Sequence, residues 1–271
     1  MEYIKEILSY PFAVRAIIVG TLVSLCAALL GINLVLKRLS MLGDGLSHIS
    51  FGTAAIALAA GVAPLKFSVP IVIIAAFLLL KLNRKGGSSG DAAIALVSGS
   101  ALAIGIIVAT LTTGMNTDIN NYMFGSVLAM SRSDVYIAVA VAVCVILLFI
   151  LFYEKLFSIS FDEDFAAATG VKVGFYNTLN AVLTAVTIVV AMRIMGALLI
   201  SSIIIFPPVS AMKLCKKYRS TVILTAAVSV FSFLAGIFLS FFYDMPVGAA
   251  VVVTNLCVFI VFSIISKIKR K

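Results

Sequence analysis

The chain has 271 residues, of which 63% are hydrophobic and only 11% are charged, and its mean hydropathy is +1.22. These values exclude a water-soluble domain, because such domains carry about 25% charged residues. We therefore predict an all-α integral membrane protein with a single domain over residues 1–271. The formal net charge of +9 is attributed to membrane topology and anionic lipid headgroups. Nucleic acid is not an expected partner, because no basic stripe is interleaved with aromatic residues.

Nine apolar stretches predict eight or nine transmembrane helices, since a bilayer core about 30 Å thick needs roughly 20 apolar residues per helix. The stretches lie at 12–36, 42–62, 65–82, 92–112, 134–153, 174–192, 194–212, 220–242 and 246–266. The four cysteines include no Cys-x-x-Cys pair and are predicted to be core residues.

Basic residues predict the orientation of these helices, because positive charge collects in short cytoplasmic loops. Fifteen of the twenty Lys and Arg residues can face the cytoplasm together if the N-terminus is outside and the C-terminus inside. They are Lys37, Arg38, Lys81, Arg84, Lys85, Lys155, Lys172, Lys213, Lys216, Lys217, Arg219, Lys267, Lys269, Arg270 and Lys271. Arg193 is the weak point, because it must then face outside between two spans. If 174–212 is instead one broken excursion, the count falls to eight and the N-terminus moves inside.

Two connecting segments stand out. Residues 112–126 begin polar and become moderately apolar without reaching the length of a span, which predicts an outer loop or a dip back toward the membrane. Residues 158–172 predict a short cytoplasmic helix in which Asp162 or its neighbour is the N-cap and Gly170 ends the helix. This helix either stiffens a loop or docks a partner, because the small residues 166–168 allow close approach to the backbone.

Asp44 and His48 are the candidate metal ligands. His48 is the only histidine of the chain, and it follows Asp44 by four residues. On a helix this spacing places both side chains on one face, where a carboxylate oxygen and an imidazole nitrogen can share one ion. The alternative is that Asp44 caps the second helix and His48 is an ordinary interfacial residue. Two ligands are too few for a complete site, so further ligands must come from a second copy, the backbone or water.

The sequence resembles the zinc, manganese and iron permease family of ABC importers. The stretches that carry the resemblance are Leu34–His48 with its Gly-Asp-x-x-x-His pattern, Asn120–Ser126, Phe161–Val171, and Met195–Ser202 leading to Pro207 and Pro208. Together they span nearly the whole chain. The resemblance implies an importer permease architecture in which Asp44 and His48 line the ion route. It also implies that residues 158–172 couple the permease to an ATPase, and we assign this contact to Asp162, Glu163, Ala166, Ala167 and Gly170.

The same resemblance implies a set of partners. They are a second copy of the chain, two cytoplasmic ATPase subunits, an extracytoplasmic metal-binding protein and the lipid bilayer of the plasma membrane, which the chain crosses several times. The chain contains no Gly-x-x-x-x-Gly-Lys-Ser/Thr loop, so it is expected not to be an enzyme, and ATP would be bound by the partner subunit. No permanently bound cofactor is expected. The transported ion is expected to be Zn²⁺ or Mn²⁺, with Fe²⁺ as a third candidate, moving through the homodimer interface.

Three alternatives stay open. The first is a permease for a bulky chelate, such as cobalamin or an iron–siderophore complex. The second is a self-contained ion channel or carrier, and the third is a membrane scaffold that transports nothing. One difficulty concerns depth, since Asp44 lies only six residues beyond Arg38, near the cytoplasmic end of its predicted span. Either the connection 37–43 is buried in the dimer, or the pair acts late on the route.

Overall fold

The structure is a computed structural model that describes residues 11–86, 88–112, 123, 125 and 132–269. Eleven helices occupy these described ranges. They are α1 (Pro11–Leu36), α2 (Ser40–Ala59), α3 (Pro64–Gly86), α4 (Ser88–Leu111), α5 (Arg132–Leu151), α6 (Tyr153–Phe161), α7 (Glu163–Ala168), α8 (Val173–Met195), α9 (Ala197–Leu214), α10 (Tyr218–Tyr243) and α11 (Val247–Lys269). Most of the predicted outer segment 112–126 lies outside the described residues.

Nine of these helices are long, and each corresponds to one of the nine apolar stretches. Eight of the nine are long and apolar enough to cross a membrane. The exception among the described long helices is α2, whose hydropathy is lowered by Asp44 and His48. The prediction of an all-α membrane protein with eight to nine spans is confirmed, and the helix that carries the candidate site is the least lipid-like of the set.

A break of one residue divides the segment 174–212 into two helices. Gly196 has φ 82° and ψ 159°, a conformation that is essentially restricted to glycine. It separates α8 and α9, and each of these helices is long enough to be a span. Just before the break, Arg193 forms an ion pair of 2.6 Å with the buried Asp134, which fastens the end of α8 to the start of α5. Arg193 is therefore paired at the end of a helix and does not interrupt a span.

Several predicted cytoplasmic basic residues meet at one end of the molecule, which we call the basic end. Lys37 forms an ion pair with Glu163. Lys155 lines one cavity with Lys172 and a second cavity with Arg219. Lys213 and Lys267 line a third cavity. This grouping agrees with the predicted orientation. Which side of a membrane the basic end faces stays a prediction, since no membrane is present.

Three central helices, α1, α8 and α9, pack against one another and hold most of the main hydrophobic core. α2 lies against this centre and is flanked by α3 and α4 on its other sides. Small residues allow the close packing, because without a hydrophobic driving force in lipid the helices depend on close backbone contact. A Cβ added at Gly52 of α2 would lie 2.4 Å from the carbonyl oxygen of Ala101 in α4. α2 is thus held firmly inside the bundle.

The segment 158–172, which was predicted to contain one short helix, contains the end of α6 and all of α7. The carboxylate of Asp162 accepts a hydrogen bond of 2.9 Å from the N–H of Phe165, so the predicted N-cap is confirmed. At the other end Gly170 has φ 84°, and the N–H groups of Gly170 and Val171 donate to the carbonyls of Ala167 and Ala166 at 3.0 Å. This is a Schellman motif, which satisfies the last carbonyls of the helix.

Candidate functional site

An interrupted stripe of α2 is exposed. Between residues 42 and 57 every residue is buried except Asp44, His48 and Ile56. These positions belong to one row of the helix with a spacing of four residues, which is inclined to the helix axis, and the row is interrupted at Gly52, where α4 covers it. The side chains of Asp44 and His48 are 35% and 31% exposed. The two predicted ligands therefore face out of the subunit on the only open side of an otherwise enclosed helix.

Asp44 and His48 are close enough to share an ion. The Nε2 atom of His48 lies 3.6 Å from the Oδ2 atom of Asp44, which is longer than a good hydrogen bond. Two ligands that each lie about 2.1 Å from one ion at a tetrahedral angle are roughly 3.4 Å apart. The observed separation therefore leaves room for an ion between the two atoms without a change of helix geometry.

The surroundings of the pair supply few other ligands. The hydroxyl of Ser201 on α9 lies near the Asp44 carboxylate, but it donates to the carbonyl of Leu198 at 3.2 Å. The hydroxyl of Ser47 donates to the backbone carbonyl of Asp44 at 2.7 Å. The Nδ1 atom of His48 is buried and has no hydrogen-bond partner in the described part of the chain. Over the same residues, no three His, Cys, Asp or Glu side chains come together as a metal site. One copy of the chain offers an incomplete ligand set.

The packing of α2 against α9 indicates how deep the pair lies. Cβ atoms built on Gly31 of α1 and on Gly43 of α2 would both contact Ile204 of α9. Ile204 is the eighth of the 18 residues of α9, so it lies near the middle of that helix. Asp44, which follows Gly43 directly, is therefore level with the middle of a candidate span. The short connection between α1 and α2 lies at the surface of the subunit, because Arg38 is exposed and Lys37 and Leu39 are partly exposed.

A neighbouring stripe of α9 extends the open face beside Asp44. Leu198 is exposed, and Ser201, Ile205 and Val209 are partly exposed, at intervals of three and four residues. This spacing places all four on one side of α9. Because Ser201 lies near the Asp44 carboxylate, the open stripes of α2 and α9 adjoin each other. No motif predicted the α9 contribution, since the helix is apolar on nearly every side.

The predicted ATPase-coupling residues lie together in and around α7. Asp162, Glu163, Ala167 and Gly170 are exposed, whereas Ala166 is fully buried against the cluster that contains Leu29 and Tyr218. Ala166 therefore anchors α7 to the bundle and offers no side-chain surface to a partner. Two exposed aromatic residues, Phe161 and Phe165, were not singled out in the sequence. The sequence signal that could have identified them is a pair of large apolar residues flanking the acidic run 162–164 in a segment predicted to lie outside the membrane.

Comparison with known proteins identifies the family of this chain and two of its relatives. The profile of the ABC 3 transport family matches residues 9–266. The chain belongs to the ABC 3 transport family. This permease is 26% identical over 269 residues to the manganese import system permease protein ScaB of Streptococcus gordonii, covering 99% of this chain and 96% of ScaB. It is 29% identical over 246 residues to the high-affinity zinc uptake system membrane protein ZnuB of Haemophilus influenzae, covering 90% of this chain and 94% of ZnuB.

Solved structures confirm the permease architecture. PsaBC from Streptococcus pneumoniae in complex with Fab matches with a TM-score of 0.86 and 28% identity, covering 96% of this chain and 94% of that chain. A putative metal-chelate type ABC transporter in an inward-facing conformation matches with a TM-score of 0.75, covering 92% of this chain and 85% of that chain. Its identity of 16% shows the shared fold alone. The family and the apolar helices make this permease a multi-pass protein of the plasma membrane, as predicted.

Proposed function

We propose that this permease is the membrane-spanning subunit of an ATP-driven importer of divalent transition-metal ions, with Mn²⁺ and Zn²⁺ as the first candidates and Fe²⁺ as the third. The observation that carries the proposal is the Asp44 and His48 pair on the open stripe of α2. Ionisable groups inside a membrane domain are costly, and they commonly mark an ion or substrate pathway. The relatives named for manganese and zinc uptake support the same conclusion.

The ion route lies at the interface of two copies of the chain. One copy supplies two strong ligands, and structural or transport sites for these ions need four or more. A two-fold axis beside the exposed stripe would bring two carboxylates and two imidazoles together, which completes a four-ligand set. The side chains would hold the ion only transiently, because it is the transported substrate and not a resident cofactor.

The choice between the metals depends on how these ligands act together. Imidazole favours Zn²⁺, whereas carboxylate and water suit Mn²⁺. A pair with one of each accommodates both ions. Selection between them is then expected to lie largely with the extracytoplasmic binding protein that delivers the ion. The permease site needs only to admit a divalent ion and release it.

ATP hydrolysis is assigned to two separate cytoplasmic subunits. The chain lacks a phosphate-binding nucleotide loop, so it is not itself an enzyme in this scheme. The exposed surface of α7 is the proposed docking element, with Asp162, Glu163, Ala167 and Gly170 as contact residues and Phe165 as an added aromatic contact. Ala166 acts from beneath by fixing α7 to the bundle.

Metal uptake tests the proposal. Uptake of radioactive Zn²⁺ and Mn²⁺ would be measured in vesicles that contain the permease, its ATPase and its binding protein, for the wild type and for the variants Asp44→Ala and His48→Ala. Asp244→Asn is the matched control, because Asp244 is exposed and its left-handed conformation suits asparagine. We expect ATP-dependent uptake in the wild type and the control, and its loss in both site variants with assembly intact.

Other outcomes would select the alternatives. Undiminished uptake in both site variants would indicate that Asp44 and His48 have only a structural role. Uptake that proceeds without the ATPase would indicate a self-contained carrier or channel. Transport of a chelate but not of the free ion would favour a chelate permease, whose fold this chain shares.

A further inference from the structure

Three polar side chains join the connection that follows α1 to the start of α7. The Nζ atom of Lys37 donates to Oε1 of Glu163 at 2.7 Å and also to Oδ1 of Asn177, near the start of α8. The Nδ2 atom of Asn177 in turn donates to Oε1 of Glu163 at 3.1 Å. We call this group the Lys37 clamp. Each of its members contacts the other two, so the clamp closes a triangle between three elements.

The clamp is continuous with a buried polar group one turn earlier on α1. The Oδ1 atom of Asn33 accepts hydrogen bonds from the hydroxyls of Ser160 at 3.0 Å and Tyr218 at 3.2 Å. Its Nδ2 atom donates to Oδ1 of Asn180 at 3.4 Å. All four side chains belong to buried residues. Since Asn33 and Lys37 lie on the same face of the helix end, the last turn of α1 is fastened to α6, α7, α8 and α10 together.

The other side of the clamp leads directly to the ion site. Arg38 has a left-handed φ of 58°, and the N–H groups of Arg38 and Leu39 donate to the carbonyls of Val35 and Leu34 at 3.1 and 2.7 Å. This is a Schellman turn, which fixes the connection between α1 and α2. Asp44 follows within the first turns of α2. Only residues 37–39 lie between the two helices.

Burial separates the roles of the two charged partners. The Lys37 side chain is only 11% exposed, whereas that of Glu163 is 44% exposed on α7. A surface ion pair of this kind contributes little to stability when one partner is well hydrated. Its geometry is more informative, because the clamp is the direct polar contact between the element proposed to meet the ATPase and the end of the helix pair that holds Asp44.

We infer that the Lys37 clamp transmits movement of α7 to α2, and that Lys37, Glu163 and Asn177 are positioning residues for transport. The inference rests on the proposed function and deepens it, since it names the contacts through which ATP hydrolysis acts on the ion site. When α7 moves, Glu163 moves with it and pulls the ammonium group of Lys37, to which it is hydrogen-bonded. Because Lys37 lies in the turn between α1 and α2, this movement shifts α2 and its exposed stripe. Breaking the clamp therefore uncouples ATP hydrolysis from metal movement.

The test measures metal uptake and ATP hydrolysis in the same vesicles, using the complete complex with Mn²⁺ and Zn²⁺ as the probes. Lys37→Met is the central variant, because the Lys37 side chain is only 11% exposed and offers little surface to a partner subunit. We expect the uptake per ATP hydrolysed to fall at least about fivefold, the lower end of ordinary coupling between sites. Glu163→Gln should act in the same direction. The matched controls are Lys155→Met and Glu154→Gln, both exposed in the same region but outside the segment 158–172, and both should retain the wild-type ratio.

A charge exchange keeps the test decisive if a single variant assembles poorly. The double variant that combines Lys37→Glu with Glu163→Lys should recover assembly and most of the uptake per ATP lost in the single variants. An unchanged ratio in both assembled single variants would overturn the inference, and so would a double variant that is no better than Lys37→Met. Failure of the proposed function gives a different result, since the wild-type complex itself would then show no ATP-dependent metal uptake.

Discussion

The packing of α2 against α4 can be tested by adding a single methyl group at Gly52. A Cβ there would lie 2.4 Å from the carbonyl oxygen and 3.0 Å from the carbonyl carbon of Ala101. Carbon and its neighbours normally rest about 3.5 Å apart, so the two helices must separate by about 1 Å. Both contacted atoms are backbone, and no rotation of a side chain relieves the contact. We expect Gly52→Ala to destabilise the protein by about 1–3 kcal/mol.

Gly99→Ala is the matched control for this variant. Gly99 lies on the same helix as Ala101, but a Cβ there has nothing within 4 Å, and alanine improves helix propensity by up to about 1 kcal/mol. Thermal unfolding in detergent should therefore show a lower apparent melting temperature for Gly52→Ala and an unchanged or higher one for Gly99→Ala. Because Gly52 lies one turn from His48, uptake at matched protein amounts should also fall. A Gly52→Ala variant that melts and transports like the wild type would refute the close contact.

Three further perturbations address the interface, the short helix and the break. In a cysteine-free background, Ile56→Cys on the exposed stripe should cross-link two copies in the membrane, whereas Leu147→Cys on exposed α5 should not; equal cross-linking of both would contradict the interface. Asp162→Ala removes the N-cap of α7 and should cost about 1 kcal/mol, seen as faster hydrogen exchange in α7, while Asp164→Ala should change this exchange less. Gly196→Ala forces a strained backbone and should lower stability by about 1–3 kcal/mol, measured by thermal unfolding; wild-type melting would show that the break tolerates a side chain.

The transmembrane helices were predictable because the required signal is local. A run of about 20 apolar residues identifies a span without knowledge of its neighbours, and all nine predicted stretches are helices. The i and i+4 spacing likewise predicted that Asp44 and His48 share a face. The sequence did not show that this face is the open one, because α2 is apolar around most of its circumference and only packing decides which side stays exposed.

Long-range contacts explain the features that were missed. Lys37 and Glu163 are separated by 126 residues, and nothing in either segment indicates the other. The packing depth of Asp44 could not be read from the sequence for the same reason. Counting from Arg38 shows that Asp44 lies near the start of its helix, but not that Gly43 packs against the middle of α9. Ala166 was grouped with its exposed neighbours because a run of small residues does not reveal which member faces inward.

Direct detection of a metal ion at His48 would test the central claim. Because His48 is the only histidine in the chain, selective ¹⁵N-histidine labelling of this subunit marks one position in each copy. The assembled permease, purified through a tag without histidine, would be loaded with Mn²⁺ and studied by pulsed electron paramagnetic resonance. The account predicts hyperfine coupling from the labelled nitrogen that disappears in His48→Gln. Transport-competent protein whose bound Mn²⁺ shows no such coupling would contradict it.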